Sequence, residues 1–204
     1  MTVRAVGILA QRVDTPRLVL RRPQRGDAPA MAALLNDWDV ARWLAQVPFP
    51  YTERDARDWI AQCARNWNRG INYQFAVVAR AREGGERVIG HIGLRRSAED
   101  LASGSAELGY WFGRGHWGSG FGTEAARAAI GFGFDELGLA RIWATALPDN
   151  DRSLKVLGKA GMVPVGTTMQ TYATRNATLE VPVLAVERTG WRAFTAGDAA
   201  GRGR

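Results

Sequence analysis

Hydrophobic and polar positions change period several times along the chain, and each change marks an element. Leu18 and Leu20 alternate with outward-facing positions. That period of two predicts a strand over 17–22, stopped by Pro23. In GDAPAMAALLNDWDVARWL the period turns helical. Met31, Leu34 and Leu35 form an apolar stripe, Asp27 stands where a cap belongs, and Pro29 is tolerated in a first turn. VPFPY then breaks the chain. Thr52 and Asp55 have capping-box spacing and open a second helix carrying Trp59, Ile60 and Cys63. Strands are predicted at Tyr73–Arg80, Val88–Arg95 and Ala106–Phe112, with REGGE as a hairpin turn between the first two. An alanine-rich helix runs to about Glu136, with Gly138 as its end cap. Arg141–Leu147 reads as a strand, and Asn150 caps a helix ending near Gly161. Strands around Val163–Thr171 and Thr178–Val186 close the pattern.

The order is strand, two helices, three strands, helix, strand, helix, two strands. Hairpins early and strand–helix–strand connections late predict an α+β fold, a mixed and mostly antiparallel central sheet flanked by helices. Residues 1–16 read as an N-terminal arm and 17–190 as one domain. Residues 191–204 offer little to bury and are expected to be disordered.

Composition narrows the class. With 204 residues, 46% hydrophobic and 23% charged, the chain can bury the core of one globular domain. Its one cysteine, Cys63, excludes an internal disulfide framework and fits a reducing cytoplasm; on its amphipathic helix it reads as a small buried apolar side chain. The opening MTVRAVGILAQRVD is too short in apolar residues for a secretion signal or a span, so no membrane partner is expected. The formal charge is +7, nearly all of it arginine, since Lys155 and Lys159 are the only lysines. The arginines are scattered, which leaves open a generic soluble surface or a phosphate-bearing ligand or partner. Two distant histidines and one cysteine have no metal-site spacing, so no metal is expected. His116 reads as a solvated loop residue or a phosphate contact, and His91 as a satisfied strand residue.

The most telling stretch is GYWFGRGHWGSGFGTEAARAAIGFGF, Gly109 to Phe134. A strand, a glycine-rich turn and a helix together make an anion site. The first helical turn has free N–H groups and a positive dipole end, and glycines let the backbone close on a phosphate. No lysine follows Gly122, which argues against a nucleotide P-loop. Gly113, Gly115 and Gly118 match the dinucleotide pattern GxGxxG, with Asp149 placed as a ribose-binding acid. A purely structural turn is a further alternative.

A second motif separates these readings. Trp117-Gly-Ser-Gly120-Phe-Gly122 is followed by Asn150, Ser153, Lys159 and Gly161, and the chain opens with TPRLVLRRP. Together these resemble the GNAT acyltransferase superfamily, particularly its RimJ/RimL-like branch, over about residues 14–187. Trp117 stands where the family more often has Arg or Gln, and Met162 where it usually has Phe.

The resemblance implies an acetyl-CoA-dependent N-acetyltransferase with no metal. It implies pyrophosphate contacts at Trp117, Gly118, Ser119, Gly120, Phe121, Gly122 and Thr123, and contacts of Asn150 and Ser153 with the pantetheine arm. That arm would pair along the strand Gly109–Phe112, where a bulge splays two strands in the family. A backbone N–H of Trp111 or Phe112 would hold the oxyanion. Glu107 is the candidate base, directly or through water, with an ion-paired strand glutamate as the alternative. Leu157 occupies the position where many relatives carry an acid tyrosine. Ser153 is the substitute donor, with a capping-box partner of Asn150 as its alternative. Trp38, Trp43, Phe49, Tyr51 and Trp59 would be core or wall the acceptor side. The acceptor would be a protein N-terminal amine, such as that of a ribosomal protein, or a small amine. Ribosome association and a homodimer are compatible with the resemblance. The rival readings are a non-catalytic CoA-binding or RNA-associated module and, further off, a dinucleotide-binding protein.

Overall fold

The structure is a computed structural model and describes residues 10–80 and 86–201. Among the described residues, eight strands form one sheet in the order β1-β2-β3-β4-β5-β6-β8-β7. They are β1 (Arg12–Asp14), β2 (Leu18–Arg21), β3 (Asn72–Arg80), β4 (Glu86–Arg95), β5 (Ser105–Phe112), β6 (Arg141–Thr145), β7 (Val163–Tyr172) and β8 (Ala177–Glu187). Every neighbouring pair is antiparallel except β5 and β6, which run parallel. The expected mixed, mostly antiparallel sheet is therefore present. The β3–β4 hairpin pairs as predicted, while the turn residues 82–85 lie outside the described residues.

The helices are α1 (Ala28–Leu35), α2 (Trp38–Ala41), α3 (Glu53–Asn68), α4 (Ala98–Ser103), α5 (Phe121–Asp135), α6 (Asp151–Lys159) and α7 (Arg188–Gly201). One face of the sheet packs on α1 and α3. Met31 and Leu35 meet Ala56 and Ile60 there, over Val19, Ala76, Val78 and Trp111. The other face packs on α5, α6 and α7 through Ala125, Ala129, Ile130, Leu157 and Trp191, over Ile92, Leu108 and Ile142. In α3 the buried residues Ala56, Ile60, Cys63 and Trp67 recur at helical spacing, and the Thr52–Asp55 capping box forms as predicted.

Three expectations change. Asp27 precedes α1 but makes no side-chain cap. It is buried and is satisfied instead by the Arg21 guanidinium at 2.8 Å and the Gln24 N–H at 2.7 Å, because a buried carboxylate gains more from a bidentate cation. Residues 98–103 form α4, which no sequence element anticipated; its Ser97–Asp100 capping box and left-handed Gly104 close both ends. The segment from 191 onward was expected to be disordered, yet α7 extends to Gly201. Trp191 holds it down, stacking on Phe194 at 5.7 Å and packing near Phe134. Among the described residues, no helix is long and apolar enough to cross a membrane.

Candidate active site

The site arises where two strands part. β5 and β6 pair only over Ser105–Glu107 and Arg141–Trp143. β5 continues to Phe112 with β4 on one side and, among the described residues, no strand on the other. The expected bulge is not in the β4–β5 register, which runs unbroken from Gly90↔Phe112 to Arg95↔Glu107. The irregularity lies on the other side of β4, where Val77 and Val78 pair with Gly90 and Val88 and Ile89 is skipped.

Ladder geometry says which amides the parting exposes. The Gly113 N–H donates to the Ile89 carbonyl at 2.9 Å. Antiparallel strands alternate, so the Trp111 N–H also turns to β4 while Tyr110 and Phe112 turn their amides to the opened side. The Phe112 carbonyl does point that way, accepting the Trp117 indole N–H at 2.7 Å. Of the two amides expected to hold an oxyanion, that of Phe112 faces the opened side and that of Trp111 faces β4. The Trp111 side chain instead lies on the α1–α3 face.

Beyond β5 the glycine loop folds as its composition demands. Gly118 and Gly120 have φ of 75° and 80°, where side-chain-bearing residues are strained. Gly120 is the N-cap of α5 and supplies no side-chain cap, so the first-turn amides of α5 are not taken by one. At Gly122 a Cβ would stand 3.3 Å from Val156, so its lack of one lets α5 and α6 approach. The loop is braced from outside. Arg17 donates to the Ser119 carbonyl at 2.8 Å and to Glu124 at 2.6 Å, and Thr15 donates to Glu124 at 2.7 Å. Burial pushes the Glu124 carboxyl up, but these bonds outweigh it and hold the group below its ordinary range.

A cleft of about 430 Å³ runs between β5, the glycine loop and α6. It brings together almost all of the residues expected at a coenzyme, Trp111, Phe112, Trp117, Gly118, Gly120, Phe121, Gly122, Thr123, Asn150 and Ser153, together with the candidate base Glu107. Ser119 is absent from the lining; its carbonyl is turned to Arg17. Arg152, Lys155 and Lys159 add cations along α6, so both lysines of the chain face this cleft. The Arg152 guanidinium stacks on Trp117 at 4.9 Å. Trp117 thus braces the loop with its N–H and seats a cation with its ring. His116 also lines the cleft.

A second cleft, of about 870 Å³, lies on the α1–α3 side of β5. Tyr51 and Trp59 wall it, and Asp55, Asp58 and several side-chain amides add polarity. Trp43 lines the first cleft instead, while Trp38 and Phe49 pack edge to face at 5.1 Å and are exposed. The two clefts share Leu44, Ala45, Glu107, Gly109, Tyr110, Trp111 and Thr145, so they meet across β5.

At that junction the Glu107 side chain is 15% exposed. Its Oε2 accepts from Arg95 Nε at 3.0 Å and from a second Arg95 nitrogen. Oε1 accepts no hydrogen bond from any described residue. The ion-paired alternative is therefore present, and it leaves one oxygen available. His91 was expected to be satisfied, but its buried Nε2 has no partner among the described residues. It sits edge-on to Trp59 at 4.8 Å, and burial pushes its pKa down to about 3, so the ring is neutral.

On the other face, Asn150 caps α6 by accepting from the Ser153 N–H at 3.1 Å. Ser153 does not return a capping-box bond, because the Asn150 N–H donates to the Leu147 carbonyl. The Ser153 hydroxyl meets the Tyr110 hydroxyl at 2.8 Å instead. Sequence reasoning passed over Tyr110; the alternation of β5 that placed Glu107 on one face puts it on the other. Leu157 is fully buried in the core. Among the described residues, no group of His, Cys, Asp and Glu side chains is arranged to hold a metal ion.

Comparison with known proteins agrees with the motifs. The family model described as "Acetyltransferase (GNAT) domain" matches residues 17–163. The protein named "Uncharacterized N-acetyltransferase p20" of Bacillus licheniformis is 34% identical over 143 residues, covering 70% of this chain and 77% of that protein. A crystal structure titled as the acetyltransferase (GNAT family) from Bacillus anthracis superposes with a TM-score of 0.72 at 27% identity, over 87% of this chain and 99% of that one. Mycobacterium smegmatis RimJ, whose structure is titled as in complex with CoA-disulfide, shares the fold. Its TM-score is 0.73 at 20% identity, over 88% of this chain and 89% of that one.

Proposed function

This chain belongs to the GNAT acetyltransferase family, and we propose that it moves the acetyl group of acetyl-CoA to a primary amine by direct attack on the thioester. The observation that carries this reading is the parting of β5 from β6 after Glu107, which leaves strand amides open between two clefts that meet. In this reading the pantetheine arm adds to the free edge of β5 like a strand. The pyrophosphate sits on the amides of 118–123 at the start of α5, and Arg152, Lys155 and Lys159 supply the opposing charge. The Phe112 N–H points where charge develops on the thioester oxygen.

The amine enters from the larger cleft, on the face of Glu107. A primary amine with a pKa of about 10 arrives mostly protonated, and the unpartnered Oε1 accepts that proton, directly or through one water. Glu107 passes that proton to water. Nitrogen bonds to the acetyl carbon, the carbon–sulfur bond breaks, sulfur leaves with the electron pair as thiolate, and the second proton of the nitrogen passes to Glu107 as the amide forms. The entry cleft holds Asp55, Asp58 and Glu107 against Arg65 and Arg95, a slight negative excess that favours a cationic acceptor. Both a protein N-terminal amine, including that of a ribosomal protein, and a small amine meet that description.

The test is CoA release across a panel of peptides and small amines, with melting measured in parallel. Acetyl-CoA is expected to raise the melting temperature. Glu107→Gln is expected to lower kcat about 100-fold or more while leaving that stabilisation in place. Equal loss of turnover and binding would remove Glu107 from the chemistry. Stabilisation without transfer to any amine would favour a non-catalytic CoA-binding module. Stabilisation by a nicotinamide dinucleotide in place of acetyl-CoA would overturn the reading altogether.

A further inference from the structure

Sequence reasoning left the departing thiol with a donor, Ser153, whose proton had no assigned direction. The Tyr110 hydroxyl lies 2.8 Å from Ser153 Oγ, a contact in which either oxygen can donate, and within donating reach of the Ser153 main-chain oxygen at 3.2 Å. Both line the smaller cleft, and Tyr110 stands on the face of β5 opposite to that of Glu107. A phenol has one proton to give. The 2.8 Å contact has the ordinary length of a hydroxyl–hydroxyl bond, whereas 3.2 Å is long for one. If Tyr110 donates to Ser153 Oγ, the serine proton is left over, and the space that remains for it is the cleft.

We propose that Tyr110 is a positioning residue for the leaving group: by donating to Ser153 Oγ it turns the Ser153 O–H toward the coenzyme sulfur. The inference rests on the acetyl-transfer reading above. Ser153 then donates a hydrogen bond to the sulfur as the carbon–sulfur bond breaks. It keeps its proton, because a serine alkoxide is a far stronger base than the thiolate. The thiolate carries the electron pair away; of the two protons the nitrogen loses, the first goes through Glu107 to water and the second stays on Glu107. Tyr110 stays neutral throughout, as burial drives its pKa upward and the phenolate is disfavoured. The pair acts where Leu157 leaves no tyrosine on α6, and it comes from a strand and a helix 43 residues apart.

Tyr110→Phe keeps the ring and removes the hydroxyl. It is expected to lower kcat about tenfold, with the KM for acetyl-CoA changed less than twofold. Ser153→Ala is expected to do the same. The double variant should be no slower than Ser153→Ala, because Tyr110 acts only through that hydroxyl. A second readout needs no acceptor. The thiol of bound CoA, followed by thiolate absorbance in the ultraviolet, should titrate about one pH unit higher in either variant than in the native protein. Ser153→Thr, which restores a hydroxyl, should recover part of both effects. Native kcat and thiol titration in Tyr110→Phe, or losses that multiply in the double variant, would overturn the proposal. If Glu107→Gln is silenced while Tyr110→Phe is unaffected, the acetyl-transfer reading stands and this inference alone falls. A native protein that binds CoA without shifting its thiol, and transfers to no amine, removes both.

Discussion

His91 makes the acid sensitivity of the fold measurable at a single side chain. It is 8% exposed, its Nε2 has no partner among the described residues, and its ring is held between Trp59 and Trp111. Burial lowers its pKa from 6.5 to about 3. The sign follows from which state binds the proton. Below pH 6.5 the unfolded chain protonates its histidine and the folded chain does not, so stability is fully present above 6.5 and falls as pH drops toward 3. Each pH unit in that window costs about 1.36 kcal/mol, so at a pH of about 4.5 the loss is ~2.7 kcal/mol. For a chain of this size that is roughly 5–10 °C in melting temperature. His91→Leu removes the titration. At neutral pH the variant should melt at or above the native temperature, since an unpaired buried nitrogen is gone. The variant should then lose about 2.7 kcal/mol less than the native protein on going to a pH of about 4.5. The charged groups in the same cleft, Asp55, Asp58 and Arg65 on α3, Arg95 on β4 and Glu107 on β5, are the same in both proteins, so their contributions largely cancel in the difference. Thermal melts of both proteins over that pH range are the assay. Identical acid slopes, or an imidazole that titrates near 6.5 in the folded protein by NMR, would refute the argument.

Two further predictions concern the coenzyme cleft. Gly120→Ala forces a side chain into a backbone with φ of 80°, 3.2 Å from Arg17. It should destabilise the fold by about 1–2 kcal/mol and raise the KM for acetyl-CoA, read by melting and by initial rates; an unchanged KM would show that the loop does not hold the coenzyme. Lys155→Ala and Lys159→Ala should each weaken acetyl-CoA binding severalfold, most at low salt, because they oppose phosphate charge; isothermal titration at two ionic strengths checks this, and salt-independent affinity would count against it.

Much of this was legible because the informative residues lie in runs whose period survives folding. The capping boxes, the strand alternation and the glycine loop are local, so Thr52, Asn150 and the α5 start stand where the pattern puts them. Short or end-anchored elements were not. α4 is six residues long, too few for a periodic stripe, and its only signals are the Ser97–Asp100 box and Gly104. α7 was lost because the small and polar residues after Trp191 hid how that ring and Phe194 stack. Asp27 was misplaced because a cap and a buried ion pair use the same carboxylate, and the sequence does not say how close Arg21 comes. Pairing across the fold was invisible altogether: nothing in GYW or NDRS indicates that Tyr110 reaches Ser153, or that Glu107 reaches Arg95.

The arrangement of β5 gives those distant pairings a common logic. Successive side chains on a strand point to opposite faces, and Tyr110 stands three positions, an odd offset, after Glu107. Both line the junction of the two clefts, but from opposite faces of the sheet: Tyr110 packs on the α5–α6 side, and Glu107 shares the α1–α3 side with Trp111. In an acyl transfer the nucleophile adds on one side of the carbonyl while the leaving group departs on another. A single extended strand thus separates the group that relieves the amine from the pair that receives the sulfur. Inserting one residue between Gly109 and Tyr110 would carry the tyrosine to the face of Glu107. Such a variant should retain the Glu107 ion pair with Arg95 and lose the Ser153 contact. Its rate should then fall at least to that of Ser153→Ala, and adding Ser153→Ala to it should change nothing more.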